Sequence, residues 1–172
     1  MSVLLLTGPP GSGKTTALRH AADRLRHRRL GGFYTQEIRR RGERVGFRAV
    51  TFDGEMWDLA RADRPGPPRV GRYGVDLAVM DALAARLAPD RGADVWLVDE
   101  IGKMECLSPA FVTAMRALLD GRAPVAATIA LRGTGFIEEV KRRPDAEVWH
   151  IIRATRDALP AQIAEWLERA RG

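Results

Sequence analysis

The sequence predicts an α/β fold in which helices cover both faces of a largely parallel sheet. Short apolar runs alternate with segments whose apolar residues recur at helical spacing, a rhythm typical of parallel strands joined by helices. The clearest apolar runs are residues 3–7, 95–98 and 125–130. Because such sheets bind ligands at the carboxyl ends of their strands, we expect the functional site just after Thr7, Val98 and Ala130.

Length and composition favour one globular domain. The chain has 172 residues, of which 45% are hydrophobic and 29% are charged. A single core commonly organises about 100 to 200 residues, so we predict one domain over residues 1–172. The balance of hydrophobic and charged residues excludes collagen-like and disordered classes. The apolar runs are too short for a membrane span or a signal peptide. The lone Cys106 excludes an internal disulfide and favours a cytoplasmic location.

The net charge is +6, and arginine carries nearly all of the positive charge. This balance attracts polyanions, either nucleic acid or polyphosphate. The chain has no separate nucleic-acid motif, and its histidines and cysteine lack metal-ligand spacing. We therefore expect a phosphate-bearing small molecule as the partner, with nucleic-acid binding as the weaker alternative, no membrane partner, and a monomer as the default state.

The first half of the chain predicts a strand, a helix and several short strands. The helix is predicted over residues 14–29, with Gly31-Gly32 as its stop. Residues 33–60 alternate apolar and polar side chains and predict an antiparallel meander after this first helix. Its turn signals are Arg41-Gly42 and Asp53-Gly54. The proline-rich segment 64–69 predicts a loop.

Strands and helices alternate in the second half. Apolar residues at helical spacing predict a helix over residues 75–87. Ser108 followed by Pro109 predicts the N-cap and first turn of a helix that extends to Leu119. The remaining predicted elements are strands over 95–98, 125–130 and 147–152 and helices over 136–142 and 160–170.

Residues 8–15, Gly-Pro-Pro-Gly-Ser-Gly-Lys-Thr, match the phosphate-loop (P-loop) pattern G-x-x-x-x-G-K-[ST]. They follow a predicted strand and open a predicted helix, which is the context this pattern requires. Since proline has no amide hydrogen, the amides of residues 11–16 must form the phosphate cradle. We expect Lys14 to reach the β and γ oxygens as a catalytic residue and the Thr15 hydroxyl to bind Mg²⁺. The predicted phosphate-binding residues are Gly8, Pro9, Pro10, Gly11, Ser12, Gly13, Lys14, Thr15 and Thr16.

Two carboxylates follow the apolar strand at residues 95–98. Asp99 is the predicted metal ligand, either directly or through water. Glu100 is the predicted catalytic residue that orients and polarises the attacking water. This arrangement favours hydrolysis over transfer to another acceptor, although kinases also carry an acid near this strand.

Three segments together resemble the cancer-related nucleoside-triphosphatase family: the P-loop, Gly31 to Arg39 (GGFYTQEIR) and Val98 to Glu105 (VDEIGKME). The resemblance covers nearly the whole chain. It implies a small P-loop NTPase three-layer sandwich with a RecA-like, mostly parallel sheet. In that sheet, residues 125–130 would lie between the P-loop strand and the acidic strand. The resemblance also implies slow hydrolysis of several nucleoside triphosphates.

Four arginines are further candidates. Arg39 and Arg44, in the predicted meander, are candidates for a mobile arginine finger, and Arg132, after the inserted strand, is a candidate for contact with the γ-phosphate. The family resemblance places residues 154–157 near the base, which makes Arg156 a candidate base contact. Charge runs such as 39–44 also occur simply as solvated turns.

The sequence favours Mg²⁺-dependent hydrolysis of nucleoside 5′-triphosphates to the diphosphate and phosphate. The family resemblance implies several substrates, for which we expect ATP, GTP, CTP and UTP. Two other functions stay open. A nucleoside or nucleotide kinase would use the same P-loop, and its arginine-rich hairpin would close as a lid. A nucleotide-dependent RNA-binding switch would use slow turnover to time binding to a basic face.

Overall fold

Nine strands within residues 1–170, the part of the chain described by the computed structural model, form one mixed sheet. The strands are β1 (Val3–Thr7), β2 (Leu30–Arg40), β3 (Glu43–Thr51), β4 (Met56–Arg61), β5 (Arg69–Val70), β6 (Tyr73–Val75), β7 (Val95–Ile101), β8 (Val125–Ile129) and β9 (Ala146–His150). The helices are α1 (Lys14–Arg24), α2 (Leu77–Ala84), α3 (Pro109–Leu119), α4 (Phe136–Lys141) and α5 (Leu159–Arg169). Across the sheet the strands follow the order β5-β6-β4-β3-β2-β7-β8-β1-β9.

The sheet has a parallel part and an antiparallel part that meet at β2. Strands β2, β7, β8, β1 and β9 pair in parallel, whereas β2 to β6 pair antiparallel. The prediction of a largely parallel sheet therefore understates the antiparallel part, because β2 continues past the end of β7 and pairs along most of its length with β3. Strand β8 lies between β7 and β1, the position that the family resemblance implies for residues 125–130.

Helices pack on both faces of the sheet over two separate apolar clusters. Alternate residues of β1 point to opposite faces, so Val3 and Leu5 join one cluster while Leu4 and Leu6 join the other. Helices α2, α3 and α4 cover the first cluster, and α1 and α5 cover the second. These four β1 side chains are fully buried, which holds the start of the P-loop rigidly at the carboxyl end of this strand.

Helix α1 ends at Arg24, five residues before the predicted end, and residues 25–29 connect it to β2. His27 and Arg28 lie in this connection, and their side chains bond to the Glu168 carboxylate of α5. The prediction that Gly31-Gly32 stops the helix is wrong, since both glycines lie inside β2. They are needed because β2 approaches β7 closely: a Cβ on Gly32 would lie 1.9 Å from the Leu97 carbonyl oxygen.

We expect Gly32→Ala to destabilise the fold by about 3 kcal/mol or more. The new methyl group would overlap the β7 backbone, and the φ angle of +100° at this position is unfavourable for alanine. Gly54→Ala is the matched control, because Gly54 has a φ of +95° but nothing within 4 Å of its Cβ position. We expect Gly54→Ala to lower the free energy of unfolding by only about 1 kcal/mol. Urea unfolding of both variants measures the difference, and equal losses would contradict the close approach of β2 and β7.

Two predicted helices begin where a side chain caps them. Ser108 Oγ accepts the amide of Phe111 at 3.1 Å, and α3 extends over Pro109–Leu119, as predicted. The predicted start of the second helix at Val75 is wrong, because Val75 belongs to β6, where it pairs with Ala60 of β4. Asp76 is the N-cap of α2 and accepts the Val79 amide, so this helix begins at Leu77.

Helix α2 ends at Ala84, three residues before its predicted end, whereas the bounds of β8, β9, α4 and α5 differ from the prediction by at most two residues. Strand β9 ends at His150, and the amide of Ile151 then donates to the carbonyl of Thr7 at 2.7 Å. This bond brings the chain after β9 beside the P-loop. Within residues 1–170 no helix is long and apolar enough to cross a membrane.

Candidate active site

The P-loop connects the buried strand β1 to the first turn of α1. Gly11 and Gly13 have φ angles of +75° and +99°, a left-handed conformation that glycine adopts without strain. A Cβ on Gly8 would lie 2.7 Å from the Ile151 carbonyl oxygen, so the loop packs against the chain that leaves β9. The Ser12 hydroxyl is buried and has no hydrogen-bond partner among residues 1–170. The loop therefore has the backbone and an unsatisfied polar atom suited to an anionic ligand.

Lys14 bends back over the loop. Its Nζ donates to the carbonyl oxygen of Gly8 at 2.6 Å. The ammonium group thus lies across the cradle formed by the loop and the N-terminus of α1, where a phosphate anion would gain from both positive charges.

Asp99 receives hydrogen bonds from three other parts of the chain. Its Oδ1 accepts the hydroxyls of Thr15, in the P-loop, at 3.0 Å and of Thr128, in β8, at 2.6 Å. Its Oδ2 accepts both the amide and the hydroxyl of Thr35, in β2, at 3.0 and 2.9 Å. These donors fix the carboxylate in one orientation beside the P-loop hydroxyl.

Strand β7 extends to Ile101 and does not end at Val98 as predicted. Its pairing with β8 is regular up to Val98 and resumes at Ile101, so the register shifts across Asp99 and Glu100. Bulges of this kind re-aim side chains at functional sites. Asp99 is buried at 2% exposure, whereas Glu100 is half-buried.

Glu100 and Glu105 converge on Gly102. A Cβ on Gly102 would lie 2.7 Å from Glu100 Oε1 and 3.0 Å from Glu105 Oε2. Burial raises the pKa of Glu100, the Asp99 carboxylate raises it further, and Lys14 opposes both effects. Burial also raises the pKa of Glu105 well above its usual value, with a further contribution from Glu100. A carboxyl group of raised proton affinity therefore stands next to the P-loop.

Cys106 should react very slowly with alkylating reagents. Burial, with contributions from Glu105 and Glu100, raises its pKa to about 12. Only the thiolate is nucleophilic, and a raised pKa keeps the thiol protonated until the pH approaches that value. Since this is the only cysteine of the chain, mass spectrometry after iodoacetamide treatment at pH 8 should show unmodified native protein and complete modification in urea. Rapid modification of the native protein would contradict the prediction.

The arginine candidates lie in different surroundings. Arg39 and Arg44 both pair with Glu37 in the β2–β3 hairpin, at 2.7 and 3.3 Å, and Arg44 also donates to the Tyr73 hydroxyl at 2.9 Å. Either guanidinium would have to leave Glu37 to contact a phosphate. Arg132 is exposed just beyond the carboxyl end of β8.

Arg156 lies beside the P-loop. Its Cδ is 3.4 Å from the Cβ position of Gly13. Together with Thr16, His20 and Pro160 it lines a pocket of about 390 Å³ along the first turns of α1. The structure therefore brings this candidate, predicted from a segment far along the chain, next to the phosphate loop.

A sequence model of the family described as NTPase matches residues 3–164. The chain belongs to this NTPase family. A nucleoside-triphosphatase THEP1 from Thermotoga sp. (strain RQ2) is 38% identical over 171 residues, which cover 98% of this chain and 97% of that protein. The chain is accordingly an enzyme of the nucleoside-triphosphatase class.

Two solved structures are also similar to this NTPase. The crystal structure of THEP1 from the hyperthermophile Aquifex aeolicus has a TM-score of 0.84 and 33% identity, covering 97% of this chain and 99% of that chain. The solution structure of a human cancer-related nucleoside triphosphatase has a TM-score of 0.85 and 33% identity, covering 100% of both chains. The α/β fold with its mixed sheet is thus shared with both.

Sequence reasoning missed three polar residues of this NTPase site. Thr35 and Thr128 bond to Asp99, and Glu105 is a buried carboxyl beside Glu100. Thr35 and Glu105 lie inside the segments that carry the family resemblance, which was a usable signal. Thr128 had a weaker one, as a polar residue within the apolar run 125–130.

Proposed function

We propose that this NTPase hydrolyses ATP, GTP, CTP and UTP to the nucleoside diphosphate and phosphate, with Mg²⁺ as cofactor. The observation that carries the proposal is the 3.0 Å hydrogen bond between Thr15 of the P-loop and Asp99 of β7. It makes the phosphate cradle and the acidic strand one site. All four substrates have the same triphosphate tail, which is the part that this site is built to bind.

The P-loop residues Gly8 to Thr16 are proposed to hold the phosphates. The amides of residues 11–16 and the N-terminus of α1 surround the β- and γ-phosphates. Lys14 exchanges its bond to the Gly8 carbonyl for bonds to phosphate oxygens, and Ser12 Oγ gains the partner that it lacks. Pro9 and Pro10 shape the loop without donating.

The donor set beside the P-loop fits Mg²⁺. Thr15 supplies a hydroxyl oxygen and Asp99 a carboxylate, and hard cations prefer such oxygen ligands. Bound there, Mg²⁺ would supply positive charge that neutralises the β and γ oxygens. Thr35 and Thr128 serve as positioning residues, because their hydroxyls hold the Asp99 carboxylate in place.

Glu100 is proposed as the residue that aligns the attacking water. It follows Asp99 directly, and its carboxylate lies within the electrostatic reach of Lys14. A carboxylate whose pKa is raised by burial is a better proton acceptor than an exposed one. Glu100 therefore accepts the proton of the water as its oxygen attacks the γ-phosphorus.

The arginines are assigned secondary roles. Arg156, beside Gly13, is proposed to contact the nucleoside, since its pocket continues from the P-loop along α1. Arg132 is the proposed γ-phosphate contact, because it follows the carboxyl end of β8, the strand that carries Thr128. Arg39 and Arg44 stay candidates for a finger that would first have to release Glu37.

We further propose that residues 1–172 form a single P-loop NTPase domain, a three-layer sandwich with RecA-like strand order and an antiparallel extension after α1. The parallel order β7-β8-β1 and the helices on both faces support this class. A monomeric state and a cytoplasmic location stay predictions.

The decisive experiment is phosphate release from ATP, GTP, CTP and UTP without an acceptor, with Mg²⁺ and with Mg²⁺ chelated. Binding of each triphosphate is measured in parallel. We expect release from all four that depends on Mg²⁺. Binding without release would refute hydrolysis, and release that persists after chelation would refute the role of Mg²⁺.

A further inference from the structure

A pocket of about 280 Å³ adjoins Glu100. Its wall is formed by the apolar side chains of Phe47, Leu59, Val70 and Met104, which come from three antiparallel strands and the segment after β7. Among the described residues that line it, none belongs to the P-loop. Attack by water needs no such chamber, so the pocket has a shape that hydrolysis alone does not explain.

The polar end of this pocket and the P-loop both bond to the carboxylate of Asp99. Thr35 lines the pocket and donates to Asp99 Oδ2 at 2.9 Å, while the other oxygen of Asp99 accepts the Thr15 hydroxyl at 3.0 Å. Glu100 lines the same end. A molecule in the pocket would therefore present its inner end to the γ-phosphate side of the nucleotide site.

The lining selects the chemistry of the occupant. The apolar wall, with the Phe47 ring, suits the flat face of an aromatic ring. The carboxyl groups of Glu100 and Glu105 at the inner end accept hydrogen bonds from hydroxyl groups, and Glu100 repels an anion. Lys103 lies exposed at the rim. A neutral nucleoside has a flat aromatic base for the wall and sugar hydroxyls for the carboxyl groups.

We infer that this pocket binds a nucleoside-class alcohol as a second phosphoryl acceptor in competition with water. The inference rests on the proposed function, because it uses the same P-loop and Glu100. Glu100 takes the proton of the acceptor hydroxyl, and a bond forms between that oxygen and the γ-phosphorus. The bond from the γ-phosphorus to the bridging oxygen breaks, so the nucleoside diphosphate leaves and the acceptor becomes its monophosphate.

The test follows the label of γ-³²P-ATP with Mg²⁺ in the presence of adenosine, guanosine, cytidine, uridine or thymidine. ADP, inorganic phosphate and nucleoside monophosphate are each quantified. We expect label in the monophosphate of at least one nucleoside and ADP in excess of phosphate. ADP equal to phosphate with all five nucleosides would overturn the acceptor site and leave hydrolysis standing. Absence of ADP would refute the proposed function itself, and the inference with it.

The substitution Val70→Phe tests whether the acceptor nucleoside binds in this pocket. Val70 is half-buried in the two-residue strand β5, and a larger side chain there fills the pocket. We expect transfer to the nucleoside to fall about tenfold or more. Leu107→Phe is the control, since Leu107 is 38% exposed and does not line the pocket. Equilibrium dialysis should show that Val70→Phe also weakens binding of the labelled nucleoside. Transfer and binding unchanged in Val70→Phe would overturn the assignment to this pocket.

Discussion

Glu100→Gln is expected to bind nucleoside triphosphates normally and to release phosphate about 10²-fold more slowly or worse. Glutamine keeps the size of the side chain in its half-buried position, and its amide cannot accept a proton from the attacking water. The P-loop, which is the proposed phosphate-binding element, is unchanged. Single-turnover phosphate release and equilibrium binding of ATP with Mg²⁺ separate the two effects.

The matched control for this variant is Glu139→Gln. Glu139 is an exposed residue of α4 whose carboxylate pairs with Arg116 at 2.5 Å. Removing its charge should leave phosphate release near the wild-type rate, because surface ion pairs contribute little to stability. A Glu100→Gln enzyme that turns over near the wild-type rate would exclude Glu100 as the residue that activates water.

Lys14→Ala is expected to lower phosphate release by about 10³-fold or more and to weaken triphosphate binding. The ammonium group lies 2.6 Å from the Gly8 carbonyl, and alanine removes the charge that we propose stabilises the β and γ oxygens in the transition state. Phosphate release at saturating ATP and the affinity for ATP and ADP measure the loss. Because Lys14 is proposed to reach the γ-phosphate, ATP should lose more affinity than ADP.

Lys141→Ala is a close control for this change. Lys141 Nζ also donates to a backbone carbonyl, that of Leu131, at 2.8 Å, but it lies at the end of α4 and not in the P-loop. We expect near wild-type turnover. If both lysine variants lose activity equally, the effect is one of overall charge. If Lys14→Ala keeps wild-type turnover, the P-loop lysine has no part in the reaction.

The main parts of the candidate site of this NTPase could be picked out because each part is local in the chain. The P-loop is eight consecutive residues between a strand and a helix, and its glycines and lysine have a direct physical role in phosphate binding. Asp99 and Glu100 follow a continuous apolar run that marks a buried strand. Ser108 as the cap of α3 is local in the same sense, since the hydroxyl bonds to an amide three residues away.

Contacts between distant segments could not be predicted in this way. Thr35 and Thr128 reach Asp99 only because β2 and β8 flank β7 in the sheet. Gly31 and Gly32 look like a helix stop in sequence, since glycine is common at helix ends. In the structure their role is steric, because a side chain on Gly32 would strike the β7 backbone.

The sequence by itself determined the P-loop, the acidic strand that follows Val98 and the alternation of apolar strands with helices, because each depends on side chains that are neighbours in the chain. The tertiary structure decided which groups surround Asp99, which carboxyl stands beside Glu100 and where an apolar pocket opens next to it. Those features depend on strand order and on a register shift in β7. Such long-range pairings are selected by the packing of the whole sheet and leave no periodic signal in the sequence.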